Sequence, residues 1–259
     1  MKCCGMKTTG RVTAMELRGI DVSEHNGAVE WGKVEGVEFV MLRLGTGAGG
    51  FTLDRRFSKN AAGARAAGLR VGAYVYSYAR SVEGAAREAE HAVRALEPHR
   101  SAITFPVAYD IEETAQAALG KRVCTDMCRA FCAVIEEAGY RPMVYANKNW
   151  LQNHLYAGEL GADVWLAHYT KRTDYAGAHT IWQHSDRGRV PGIAGRVDLN
   201  IAYRDYAAPE ADETEQAIRR LAASGEMTSP DYWRRVAAGK EAASAENIAA
   251  LLRKWAKRV

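Results

Sequence analysis

The order in which two kinds of segment follow one another constrains this chain more than any other feature. Short apolar, β-branched or aromatic runs alternate with longer stretches rich in Ala, Arg and Glu. The runs are Gly19–Ser23, Phe39–Leu44, Val71–Tyr78, Pro106–Glu112, Pro142–Asn147, Asp163–Tyr169, Thr180–Ser185 and Val197–Tyr203, which makes eight expected strands. Helices are expected between them, most clearly at Asp54–Ala67, Val82–Leu96 and Lys121–Ala138, with Gly68 and Gly139 where helix C-terminal glycines belong. Such alternation predicts a largely parallel sheet with helices outside it. After the sixth strand the helical signal fails, because Thr170–His179 and Asp186–Arg196 are too short and too rich in Gly and polar residues for crossover helices. The expected fold is therefore α/β: an irregular TIM-like barrel whose last strands are joined by loops, with room for an antiparallel member.

Composition narrows the function classes. With 259 residues, 47% of them hydrophobic and 25% charged, the chain has the balance of an ordinary folded domain. Its 35 basic and 31 acidic residues leave a net charge of only +4, spread along the chain, so no nucleic-acid partner is expected. No stretch approaches the roughly 18 apolar residues of a membrane span. The five cysteines are an odd count without zinc-type pairing, which argues against a disulfide scaffold and for synthesis in a reducing cytoplasm. Cys124, Cys128 and Cys132 share one face of an expected helix, and core packing is the reading preferred over a three-thiol metal site. The opening MKCCGMKTTGRVTAM lacks an apolar h-region, so no signal peptide is expected; residues 1–15 read as a tail, with Met15 a candidate natural start.

Past Tyr206 the composition shifts to AAPEADE, a linker, and then to three short amphipathic helices at Glu213–Ala223, Pro230–Ala238 and Ala245–Lys257. The expected organisation is a barrel over 16–207 and a small helical module over 211–259. Trp233, Leu251, Leu252 and Trp255 are the module's expected apolar anchors. Its basic end, Arg253, Lys254, Lys257 and Arg258, suits either the helix dipole or an anionic wall polymer, and a homodimer through these helices is the alternative role.

In a parallel barrel the chemistry gathers at the C-terminal strand ends. Four carboxylates fall there: Asp21 in the first strand, Asp110 and Glu112 ending the fourth, and Asp198 opening the eighth. Strand side chains alternate, so Asp110 and Glu112 share one face, roughly 7 Å apart along the strand. Converging carboxylates are what glycoside hydrolysis needs, one protonated to donate to the leaving oxygen and one ionised on the anomeric side. The competing reading has these acids capping helices or pairing with Arg43.

Aromatic residues favour a sugar. Tyr74, Tyr76 and Tyr78 alternate on one side of the third strand, and Tyr109, Tyr145, Trp150, Trp165, Tyr169 and Trp182 stand at or near other strand ends. They serve either as platforms for pyranose C–H faces or as core. The substrate-binding candidates are Arg43, Tyr74, Tyr76, Tyr78, Tyr145, Trp165, Tyr169 and Gln183. Other chemistries fare worse. Gly45 to Gly50 spell G-x-G-x-x-G after a strand, yet it is the second strand, FTL separates the glycines from the next helix, and no acid ends the third strand. There is no H-E-x-x-H, P-loop or G-x-S-x-G. His25, His168 and His184 lie near strand ends and read as hydrogen-bonded scaffolding before ligand contacts.

Taken in order, RGIDVSEHNG, FVMLRLGTG, Asp54 with Phe57 and Asn60, AAGLRVGAYVYSYA, PVAYDIE, AGYRPMVYAN, VWLAHY and IWQHSDRGRVPGIAGRVDLN form a pattern that resembles the glycoside hydrolase family 25 muramidases, the Chalaropsis-type lysozymes of phage endolysins and bacterial autolysins. It runs from Arg18 to Tyr206. The resemblance implies an irregular β/α barrel that hydrolyses the β-1,4 bond between N-acetylmuramic acid and N-acetylglucosamine in bacterial peptidoglycan, with no metal or organic cofactor. It also implies Glu112 as general acid, Asp110 as its partner, and Asp21 and Asp198 as the remaining active-site acids. His25-Asn26, where many members carry an aromatic or Gln, and a final aromatic displaced to Tyr203 are the departures from the family pattern. Two other readings stand beside this one: a non-catalytic wall-binding or phage-structural module on the same barrel, and a glycosidase for another polysaccharide.

Overall fold

In the computed structural model, the described residues are 15–207, 218, 221–222, 227, 229–237 and 240–255. The chain divides into two compact units between Ala207 and Ala208. In the first, eight strands close on themselves: β1 (Leu17–Val22), β2 (Phe39–Thr46), β4 (Arg70–Tyr76), β5 (Ile103–Asp110), β6 (Pro142–Asn147), β7 (Asp163–Ala167), β8 (Ile181–Gly188) and β9 (Val197–Ala202), with β1 pairing β2 to shut the ring. A two-residue strand, β3 (Thr52–Leu53), adds to the end of β2. All eight expected strands are present, with ends shifted by a few residues; Glu112 stands just past β5 instead of inside it.

Helices α1 (Phe57–Ala66), α2 (Val82–Leu96) and α4 (Lys121–Glu137) cover the outer face, and the short α3 (Thr114–Ala117) and α5 (Lys148–Asn153) sit in connections. Their sequences explain their ends. Ser81 caps α2 by accepting from the Gly84 amide at 3.1 Å. Gly68 and Gly139, with φ of 78° and 80°, end α1 and α4 in the left-handed region that glycine alone enters freely. On α2 the buried stripe is Ala85, Ala89, Ala92 and Leu96, small residues that let the helix approach the sheet closely. On α4 it is Cys124, Cys128, Phe131, Cys132 and Ile135, so the three thiols are core residues between helix and sheet.

Alternation along the strands separates two interiors. Ile20, Val22, Leu42, Leu44, Val75 and Val107 point outward under the helices. Phe39, Met41, Phe105, Met143, Trp165 and Ile181 fill the barrel itself, with Phe39 stacked on Phe105 at 5.0 Å. β1, β2 and β4 to β8 run parallel, whereas β9 is antiparallel to both neighbours. The reason is chain length: only 189–196 connect β8 to β9, too few for a crossover. Reversal brings the start of β9, and with it Asp198, to the same mouth as the ends of the parallel strands.

The second unit contains α6 (Pro230–Ala237) and α7 (Ala245–Trp255). Ser244 caps α7 by accepting from the Asn247 amide at 3.2 Å, and the Tyr232 hydroxyl accepts from the Ser244 amide at 2.6 Å. Arg235 pairs with Glu241 at 2.7 Å. Most of the expected first helix of this module, and the side chains of Leu251, Leu252, Arg253, Lys254, Trp255, Lys257 and Arg258, lie outside the described residues. No helix among the described residues is long and apolar enough to cross a membrane.

Candidate active site

The mouth of the barrel is polar because the last inward position of several strands carries an acid or an amide. Asp21 and Asp198 are direct cross-strand partners on β1 and β9. Asp110 is the last residue of β5, opposite Tyr76 of β4 and Tyr145 of β6. Glu112 follows two residues on and lines a cavity of about 390 Å³ with Tyr145, Asn147, Lys148, His168 and Tyr169.

Burial sets the protonation of these acids. Asp21 is pushed up to about 8, by burial first and by the charge of Asp198 second, against the Asn200 and Gln183 amides that donate to it. Asp198 is raised by burial and opposed by its hydrogen bond with Asp21, so the two carboxyls titrate as one pair that holds a shared proton to higher pH than a lone aspartate. Asp110 is held well above the ordinary aspartate range by burial and by Glu112 and Asp21, with Arg43 opposing. Its Oδ1 is buried with no hydrogen-bond partner among the described residues. Glu112 is raised by burial and by the charge of Glu113 beside it. All four acids are raised above the ordinary carboxylate range, and of the four Glu112 is the one that lines the cavity.

Arg43 is the largely buried cation of the mouth. Its Nε donates to Asp54 Oδ2 at 3.0 Å and one terminal nitrogen lies 3.3 Å from Glu24 Oε1. Asp54 is itself pinned, accepting from the Glu24 and Arg56 amides, each at 2.9 Å. The Tyr76 hydroxyl donates to Glu113 Oε1 at 2.7 Å, and the Tyr76 and Tyr78 rings lie 5.2 Å apart. Tyr78 is 41% exposed beyond the end of β4, and Tyr169 is 52% exposed beside Glu112. Tyr74 stands edge-on to Trp165 at 5.9 Å, inside the mouth.

Two of the expected substrate-binding residues are corrected by their burial. Trp165 is 1% exposed and Gln183 3% exposed, so neither offers a surface to a sugar; both act on other side chains from beneath. Among the other aromatics, Tyr109 points outward against Phe131 of α4, with ring centroids 4.6 Å apart, and Trp150 and Trp182 belong to the helix-side core. His25 is exposed on a turn, His184 packs on Trp182, and His168 bonds Thr173 through Nδ1 at 2.9 Å while lining the Glu112 cavity. The glycines after β2 serve packing: a side chain on Gly45 would strike the Thr52 carbonyl, and one on Gly47 would strike the Glu88 carboxyl. Sequence reasoning missed Asn200, Glu113 and the Glu24–Asp54 clamp on Arg43. Asn200 was within reach, since it lies two residues after Asp198 and therefore on the same face of its strand.

A closed, mostly parallel barrel with buried and half-buried carboxyls gathered at the C-terminal strand ends defines the class, a β/α-barrel glycoside hydrolase. The model of the glycosyl hydrolases family 25 matches residues 20–193, and the chain belongs to that family. It is 30% identical over 192 residues to the protein YegX of Escherichia coli K12, covering 71% of this chain and 69% of that one. To lysozyme M1 of Streptomyces globisporus it is 29% identical over 211 residues, covering 75% and 70%. The modular autolysin LytC of Streptococcus pneumoniae, solved with a synthetic peptidoglycan ligand, shares the fold at a TM-score of 0.63 and 24% identity, covering 72% of this chain. This chain spans only 46% of LytC, under half its length.

Proposed function

We propose that this chain is a peptidoglycan hydrolase of the muramidase type, cleaving the β-1,4 bond between N-acetylmuramic acid and N-acetylglucosamine to lyse or remodel the bacterial wall. The observation that carries the reading is the convergence of Asp21, Asp110, Glu112 and Asp198 on one barrel mouth in a family 25 chain. Relatives named lysozyme support the substrate class.

Glu112 is the general acid in this reading. It borders the cavity, and burial together with Glu113 holds its carboxyl above the ordinary glutamate range, the direction that favours the protonated form the leaving oxygen needs. The charge of the Asp21–Asp198 pair lies across the mouth, where positive charge develops on the sugar ring in the transition state. Asp110, buried and held well above the ordinary aspartate range, resists a second negative charge beside Glu112 and supports it from beneath the cavity. Tyr76, Tyr78, Tyr145 and Tyr169 supply the aromatic walls, and Arg43 holds the electrostatic balance.

Residues 16–207 form the catalytic barrel in this assignment and 211–259 a wall-binding module, with homodimerisation as its alternative role. Digestion of purified peptidoglycan followed by mass analysis tests the function. New reducing ends on muramic acid are expected; reducing ends on glucosamine, or no cleavage of walls alongside cleavage of another polysaccharide, would overturn it. Zymography on cell walls separates the enzyme from a non-catalytic wall binder on the same barrel.

A further inference from the structure

Asp21 is gripped by two carboxamides, and neither is free to choose which end it turns to the acid. Asn200 Nδ2 donates to Asp21 Oδ2 at 2.7 Å, and Gln183 Nε2 donates to the same oxygen at 2.9 Å. At its other end, Asn200 Oδ1 accepts from Trp165 Nε1 at 2.8 Å. An indole N–H can only donate, so it demands the oxygen of Asn200 and leaves the nitrogen for Asp21. Gln183 Oε1 accepts from two hydroxyls, Tyr145 at 2.8 Å and Tyr169 at 2.9 Å, with the same result. A flipped Asn200 would set N–H against N–H at Trp165 and oxygen against oxygen at Asp21. Trp165 and Asn200 are each 1% exposed and Gln183 is 3% exposed, so all three sit below the surface that a sugar meets.

We propose that Trp165, Asn200 and Gln183 are positioning residues, which lock both amides donor-first onto one oxygen of Asp21 and leave its other oxygen to face Asp198. The proposal rests on the hydrolase reading of the same site. It adds a reason for a tryptophan in the barrel interior, where an aliphatic residue would fill space equally well: only the indole N–H dictates the direction of Asn200. Through Tyr169, exposed beside Glu112, the lock also reaches the cavity wall, so ordering of this tyrosine by substrate strengthens the grip on Asp21.

The groups facing Asp21 define what a broken lock does. They are Asp198 from β9, Asp110 from β5, Tyr74 from β4, Tyr145 from β6 and Tyr169 after β7. Arg43 of β2 acts on Asp110 and Tyr74 and is already bound by Glu24 and Asp54. No cation among these groups replaces a lost amide donor, so Asp21 then holds its proton more tightly.

Trp165→Phe removes the N–H and keeps most of the bulk. The expected result is a roughly twofold to tenfold fall in kcat on peptidoglycan, the range for one lost hydrogen bond between neutral groups, with KM nearly unchanged because Trp165 lies beneath the surface that a sugar meets. The acid limb of the kcat profile should move to higher pH. Unchanged kcat, or a loss equal at every pH, would overturn the proposal and leave Trp165 as packing alone. Asn200→Asp, which turns the donor into an acceptor at constant shape, asks the same question should Trp165→Phe fail to fold. A cycle of Tyr145→Phe and Tyr169→Phe adds a signature that simple packing lacks. Each single variant leaves Gln183 one donor, so the double variant should lose more in kcat than the product of the singles; simple multiplication would count against the lock. Titration of the Asp21 carboxyl by carbon-13 NMR in wild type and Trp165→Phe reads the grip without any turnover. An upward shift there in a protein that cleaves no wall would retain the lock and reject the muramidase reading, whereas an unshifted carboxyl in an active enzyme would do the reverse.

Discussion

Replacing Asp21 by asparagine is expected to make the protein more stable at neutral pH while abolishing turnover. In the fold, burial and Asp198 push this carboxyl up to about 8 from the ordinary 3.8, so the native state keeps a proton that the unfolded chain gives up. A folded value above the unfolded one means no penalty below pH 3.8, a penalty that grows as the pH rises, and a plateau above pH 8. At pH 7, about three pH units above the unfolded value, this amounts to ~4 kcal/mol at 1.36 kcal/mol per unit. Asparagine imitates the protonated acid. Its oxygen accepts from Gln183 and Asn200 as before, and its own N–H stands in for the proton facing Asp198, so no hydrogen bond is lost. With the proton partly shared by Asp198, about half of the penalty, ~2 kcal/mol, is expected to be relieved at pH 7, which for a barrel of this size raises Tm by roughly 4–8 °C. Scanning calorimetry of both proteins at pH 4, 5.5 and 7 measures it. Equal Tm values at pH 7, or a gap that fails to close toward pH 4, would refute the picture of a strained, protonated Asp21.

Glu112→Gln is expected to cut lytic turnover by roughly 10²- to 10⁴-fold in a protein that melts at or above the wild-type temperature at neutral pH, since the amide removes proton donation and also the burial penalty of the carboxyl; near-wild-type turnover would remove Glu112 from the role of acid. Because Glu112 must be protonated to donate and burial raises it, kcat/KM should fall on the alkaline side as the pH passes its raised value, a limb absent from any residual activity of Glu112→Gln. Activity should withstand EDTA, as carboxyls alone supply the chemistry proposed here; loss on chelation with recovery on adding a divalent ion would contradict that. Deleting residues 208–259 is expected to leave a barrel that cleaves soluble glycan chains but binds intact walls less well, with a deficit that shrinks at high salt. Equal wall binding by both proteins would point to dimerisation instead, which light scattering decides.

Local periodicity made much of the fold legible. The eight strands, the start and end of α2, and the glycines closing α1 and α4 follow from side-chain alternation, a serine cap and left-handed φ, all of which act within a few residues. Asp110 and Glu112 were readable as neighbours on the same ground. The same parity puts Tyr109 on the face opposite Asp110 and Trp182 opposite Gln183, so for these two aromatics alternation alone decides between sugar platform and core in favour of core. Nothing local pairs Asp21 with Asp198. Their meeting depends on closure of the ring and on a β8–β9 connection too short for a crossover, which reverses β9 and carries its first residues to the mouth. The buried lock on Asp21 is a further step removed: Trp165, Gln183 and Asn200 come from three strands, and their hydrogen bonds exist only once those strands are adjacent. Which segments form strands and helices was legible along the chain, because those preferences reside in each residue and its near neighbours. Which acids share a proton, and which side chains touch sugar or support those that do, was decided by tertiary structure, because burial and partnership are properties of the closed barrel.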